Sequence, residues 1–161
     1  MTTWTSFNFL NIFCIRFYAF IKQSTVELNN CIIEKNVKLI LKNKSKFFVD
    51  NNSILKSNCE LRVYENSSMI INKNCTIDNG VRIIAANKKT VLLEKNVKIG
   101  YYSVLNGGGG ITIGANSSFY GYVYVKTSFH KLAESGFEKN EYYHRQLHIP
   151  ENSLIEPFTI L

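Results

Sequence analysis

Along most of this chain an aliphatic residue is followed three positions later by Asn or Gly and then by a small residue. The unit reads Ile33-Glu34-Lys35-Asn36-Val37, Val49-Asp50-Asn51-Asn52-Ser53, Leu55-Lys56-Ser57-Asn58-Cys59 and Ile71-Asn72-Lys73-Asn74-Cys75. It continues through Ile77-Asp78-Asn79-Gly80-Val81, Leu93-Glu94-Lys95-Asn96-Val97, Ile99-Gly100-Tyr101-Tyr102-Ser103 and Ile113-Gly114-Ala115-Asn116-Ser117, and returns as Ile149-Pro150-Glu151-Asn152-Ser153. Asparagine scattered at random would not keep this register with the aliphatics.

Units starting at 49 and 55, 71 and 77, 93 and 99, and 149 and 155 stand in pairs six residues apart. A hexapeptide period predicts a parallel β-helix, in which each unit supplies one short strand and one turn, and three units close a coil of about 18 residues. The pairs beginning at 49, 71 and 93 are 22 residues apart, so two faces are regular and the third carries extra residues such as Ala85-Ala86-Asn87-Lys88-Lys89. In this scheme the aliphatic points inward and stacks on its equivalents. The fourth position takes a left-handed backbone at a corner, where Asn and Gly are best tolerated. The fifth faces inward beside that corner, where only Val, Ser or Cys fits.

The pattern lapses once, over about 126–147. This stretch is read as a loop extruded from a rigid scaffold, the usual place for function. It opens with Val125-Lys126-Thr127-Ser128-Phe129-His130-Lys131 and closes with Tyr142-Tyr143-His144-Arg145. His130 stands where a scaffold strand runs out, and it is the candidate catalytic residue; the plain alternative is a surface histidine. A neutral imidazole can take the proton of an attacking hydroxyl, an effect of about 10²–10⁴-fold. Glu134, Glu138 and Glu141 are candidates to orient it. Asn106, one coil earlier, is a candidate for binding acceptor hydroxyls and equally a turn residue. Gly107–Gly110 lacks the Lys-Ser/Thr ending of a phosphate loop. It reads as a close backbone approach to a ligand or a neighbouring subunit, or as a loose turn. His144 and His148 lack an obvious third ligand, so no metal is expected.

Composition narrows the picture. The chain has 161 residues, fitting one domain, with 45% hydrophobic and 19% charged residues. A net charge of +7 invites an anionic partner: phosphates of a nucleotide-like cofactor, an acidic polysaccharide or a membrane surface. Lysines such as Lys42, Lys44 and Lys46 fit solvated strand and turn faces better, because no basic block occurs. Nothing resembles a nucleic-acid-binding motif. Cys59 and Cys75 fall on the small inward position and Cys14 and Cys31 show no CxxC pairing, so free thiols in a reducing cytoplasm are expected. Residues 1–23 differ in kind: Trp4 to Ile21 is rich in large apolar residues and carries Arg16. They are read as an apolar helix that caps the open end of the solenoid or lies in a membrane interface through residues 4–21, as a peripheral contact with the inner membrane. Residues 24–161 form the β-helix domain.

On these hexapeptides, and on Val125-x-x-x-x-His130 followed by the resumed Ile149-Pro150-Glu151-Asn152-Ser153, the chain resembles the hexapeptide-repeat acyltransferase superfamily. It is most similar to its galactoside, maltose and polysaccharide O-acetyltransferase branch. The resemblance runs from about Ile33 to the end and implies an all-β, left-handed parallel β-helix. It also implies acetyl-CoA as acyl donor, a sugar hydroxyl of a bacterial surface polysaccharide as acceptor, His130 as general base, direct transfer without a covalent intermediate, and a homotrimer. The chain departs from the family's pattern in two respects. Leu161 comes part way into the first of the coils that the family carries beyond the loop, so the C-terminal coils read as incomplete. In addition, Pro150 and Glu156 replace glycines of the resumed coil. An inactive β-solenoid scaffold is the alternative. A γ-type carbonic anhydrase is disfavoured, since His130, His144 and His148 all lie around one loop.

Overall fold

The computed structural model describes residues 23–64, 66–133 and 136–161. The apolar helix expected over 1–23 lies outside these residues except for Gln23, a turn residue ahead of the first strand.

Nineteen strands and no helix make up the described chain. The first coil is β1 (Thr25–Leu28), β2 (Ile32–Ile33) and β3 (Lys38–Leu41). The second is β4 (Lys46–Val49), β5 (Ile54–Leu55) and β6 (Glu60–Val63), and the third is β7 (Ser68–Ile71), β8 (Thr76–Ile77) and β9 (Arg82–Ala85). Then come β10 (Thr90–Leu93), β11 (Lys98–Ile99) and β12 (Val104–Gly107), followed by β13 (Ile111–Ile113), β14 (Ser118–Phe119) and β15 (Tyr124–Lys126). An antiparallel hairpin, β16 (Ser128–Ala133) and β17 (Gly136–His144), precedes β18 (Leu147–Ile149) and β19 (Leu154–Ile155).

The strands stack in parallel as a solenoid of about five turns with three faces. Face one is β1-β4-β7-β10-β13-β18, face two is β2-β5-β8-β11-β14-β19, and face three is β3-β6-β9-β12-β15. Register holds identical repeat positions together: Val49 lies beside Ile71 and Ile71 beside Leu93, and on face two Leu55, Ile77 and Ile99 form the same column. These side chains are fully buried and form the core. The small position is buried as expected at Ser53, Cys59, Cys75, Val81, Val97, Ser103 and Ser117. Its serines are satisfied: Ser53 Oγ donates to the Asn72 carbonyl (2.8 Å) and accepts from the Cys75 N–H (3.1 Å).

The corner between faces one and two is an amide ladder. Asn52, Asn74, Asn96, Asn116 and Asn152 all have φ between 59° and 61°. Their side chains bond coil to coil, Asn52 Nδ2 to Asn74 Oδ1 (3.3 Å), then Asn74 to Asn96 (3.0 Å), Asn96 to Asn116 (2.8 Å) and Asn116 to Asn152 (3.1 Å). The corner between faces two and three starts the same way at Asn36 and Asn58 (3.2 Å) and then changes chemistry. Above Gly80 the left-handed position is held by Tyr102, Tyr122 and Phe158, at φ 54°, 52° and 61°. Bulky residues rarely adopt this conformation. Here the rings stack, with centroids 5.7 Å and then 5.2 Å apart, and that packing offsets the backbone cost.

The excursion expected as a loop over 126–147 is a two-stranded hairpin. Lys126 still belongs to β15 and Leu147 already to β18, so only Thr127 to Gln146 leave the coil. Its polar composition suggested a loop because the stabilising pairs are cross-strand ones invisible along the chain.

Candidate functional site

The hairpin stands on the corner between faces three and one, and Gly107–Gly110 is its seat. At this corner one coil is shortened: Ala85 and Val91 bracket the turn below, whereas their register partners Gly107 and Ile111 bracket the turn above. A Cβ on Gly108 would run into the Ser128 hydroxyl, and one on Gly109 into the Thr127 carbonyl and the Arg145 backbone. The tetraglycine is therefore a close approach, made to the chain's own hairpin. Thr127, nearly fully buried, fastens the join: its Oγ1 donates to the Asn106 carbonyl (2.9 Å) and accepts from the Gly109 N–H (2.8 Å). The Asn106 carbonyl also accepts from the Thr127 N–H (3.1 Å).

Cross-strand register then sorts the hairpin's side chains onto two sides, because directly paired residues share a side. Ser128 pairs with His144, Phe129 with Tyr143 and His130 with Tyr142. One side carries the Phe129–Tyr143 stack (5.0 Å), the Lys126 ammonium over Phe129 (5.6 Å) and the Lys131–Glu141 ion pair (2.7 Å). The other carries Ser128, His130, Tyr142 and His144. There the His130 ring lies 4.4 Å from that of Tyr142, the Tyr142 and His144 rings are parallel at 6.4 Å, and Ser128 Oγ is 2.9 Å from His144 Nδ1.

The predicted site residues are thus spread out. His130 is exposed on β16, against Tyr142. Asn106 is half-buried on the outward side of β12, in register with Lys126, and its carbonyl anchors the hairpin foot. Glu141 lies on the side away from His130 and is engaged by Lys131, which holds its carboxyl below the ordinary glutamate range. Glu134 lies outside the described residues, and of Glu138 only the backbone, in β17, is described. His148 sits on β18 beside Thr112, away from the hairpin strands.

Sequence reasoning passed over Ser128, Tyr142 and Asn87. Asn87 Nδ2 donates to the carbonyl of Gly108 (2.9 Å), the same glycine that Ser128 crowds. Asn87 also lines a groove of about 300 Å³ with Tyr64, Asn66, Ala86 and Lys88, running along the corner that carries the hairpin one coil higher. The groove's size is at the lower end of ligand pockets. Nearby, the Lys42 ammonium lies 4.8 Å from the Tyr64 ring centroid. No local signal marks Ser128 in the sequence: what distinguishes it is its cross-strand pairing with His144. Elsewhere, burial pushes the Cys59 and Cys75 thiols up to about 11, as inert core cysteines require.

Comparison of the chain with protein-family models, with curated proteins and with solved structures finds no match in any of the three.

Proposed function

We propose that this chain is an O-acetyltransferase of the left-handed, hexapeptide-repeat kind, moving an acetyl group from acetyl-CoA to a hydroxyl of a sugar in a bacterial surface polysaccharide or its precursor. The observation that carries the reading is His130: among the described residues it is borne on the single excursion from an otherwise continuous solenoid, on the strand that leaves face three. A rigid stack of rungs with one projecting element is the arrangement that holds a reacting imidazole in place. The Tyr142 ring limits the motion of the His130 ring from one side, while exposure leaves the imidazole accessible.

In this reading His130 takes the proton of the sugar hydroxyl as its oxygen attacks the thioester carbonyl, and the thiol leaves protonated. The groove beside Asn87 offers amide and hydroxyl groups for a polyol, and Asn106 is the further acceptor contact. A homotrimer and a cytoplasmic site, in peripheral contact with the inner membrane through residues 4–21, belong to the same proposal.

The test is thiol release from acetyl-CoA in the presence of a panel of capsular or O-antigen oligosaccharides. His130→Ala is expected to lose at least about 100-fold in turnover while keeping its circular-dichroism spectrum. Undiminished turnover in that variant removes His130 from the chemistry. Absence of turnover and of any CoA binding in the wild-type protein favours a solenoid that serves as a scaffold.

A further inference from the structure

Ser128 and His144 are sixteen positions apart in sequence, yet β16 and β17 place them as a directly paired couple, with Oγ 2.9 Å from Nδ1. A serine hydroxyl bonded to an imidazole nitrogen is the minimum arrangement of a nucleophile with its base. A third group converges on it. The point that a Cβ on Gly108 would occupy lies 3.0 Å from Asn87 Nδ2 and still closer to Ser128 Oγ, so the amide and the hydroxyl both close on the same glycine. Asn87 Nδ2 spends one N–H on the Gly108 carbonyl (2.9 Å), which fixes the amide's orientation and leaves its second N–H to point elsewhere. Only glycine at 108 lets the serine side chain come this close to the corner. Asn87 also lines the groove of about 300 Å³ one coil below, with Tyr64, Asn66, Ala86 and Lys88.

We propose that Ser128, His144 and Asn87 form a serine-esterase centre for short-chain acyl esters, an activity separate from transfer by His130 and independent of any need for CoA. His144, neutral with its proton on Nε2, accepts the Ser128 proton at Nδ1 as Oγ bonds to the acyl carbon. The Asn87 amide donates to the oxyanion that forms. The C–O bond to the leaving alcohol breaks, and His144 returns its proton to that alcohol, leaving an ester on Ser128. Water then adds to this ester with His144 taking its proton, the acid departs, and the Ser128 hydroxyl is restored. The net change is ester plus water to acid plus alcohol.

The test uses the full chain, p-nitrophenyl acetate as substrate and a fluorophosphonate as a serine-directed label, with peptide mapping of the labelled site. Label is expected on Ser128, and none in Ser128→Ala. His144→Gln is expected to slow both labelling and ester hydrolysis by at least about 100-fold, as loss of a general base does. Asn87→Ala is expected to slow hydrolysis by about 10²–10³-fold, as loss of an oxyanion donor does. Lys98→Gln, exposed on β11 and outside the hairpin, serves as a folded control with unchanged rate. No label on Ser128 in folded wild-type protein overturns the proposal, and so does labelling that is equally fast in His144→Gln. The outcome is independent of the acetyl-CoA assay: labelling without CoA turnover leaves the esterase centre standing and removes the transferase, and the converse separates them the other way.

Discussion

Tyr102 lies directly over Gly80, one coil below it: a Cβ on Gly80 would come 2.5 Å from two carbons of the Tyr102 ring. Gly80 is also at φ +68°, so glycine serves both the left-handed corner and the ring resting on it. This is the point at which the corner ladder passes from amides (Asn36, Asn58) to aromatics (Tyr102, Tyr122, Phe158).

Replacing Gly80 with Ala therefore combines backbone strain with overpacking, and a loss of about 1–3 kcal/mol is expected in urea unfolding. In a Tyr102→Asn background the ring is gone, and the same substitution should cost markedly less. A double-mutant cycle measures the difference. Equal costs in both backgrounds contradict the packing relationship.

Asn96 sits in the middle of the amide ladder, donating to Asn116 and accepting from Asn74. Asn96→Ala should cost about 1–3 kcal/mol, since it puts a Cβ-bearing residue without a local polar group at φ 61° and removes two side-chain bonds. Asn96→Gly restores the backbone tolerance and isolates the contribution of the bonds. Thermal unfolding should rank wild type above Gly and Gly above Ala; Ala at or above Gly is the result that contradicts the ladder's backbone role.

Glu141 predicts a pH response of the hairpin. Its carboxyl is held below the ordinary value of 4.5 first by the hydrogen bond from Lys131 and then by that ammonium's charge. A depressed carboxyl contributes stability that is present above its unfolded-state pKa and is lost as pH falls through the lower folded-state value. Hydrogen exchange of the β16–β17 amides should thus be independent of pairing loss near neutrality and rise specifically below about pH 4.5, after correction for intrinsic rates. The effect is small because both side chains are exposed to solvent. An NMR titration should show the Glu141 carboxyl returning to an ordinary midpoint in Lys131→Met; an unchanged midpoint means that Lys131 does not engage it.

Much of the solenoid was legible along the chain, because a coil that stacks on copies of itself imposes the same demands every time round. Val49, Ile71 and Leu93 had to face inward together, and Asn52, Asn74 and Asn96 had to turn the same corner. Tyr102 and Phe158 show where that legibility ends. Each breaks the Asn/Gly preference, and the reason lies in rings one coil away rather than in neighbouring residues. His130 could be singled out by its position at the end of a regular pattern. Ser128, Asn87 and His144 could not, because what distinguishes them is a meeting between three separate segments.

By itself, then, the amino-acid sequence determined a three-sided stack of parallel strands, since inward aliphatics and left-handed corners are local requirements repeated at a fixed interval. The tertiary structure alone decided that the interruption is a hairpin, that four glycines are its seat, and which residues share a side of it. Those outcomes depend on cross-strand register and backbone contact between distant residues, and no local preference encodes them.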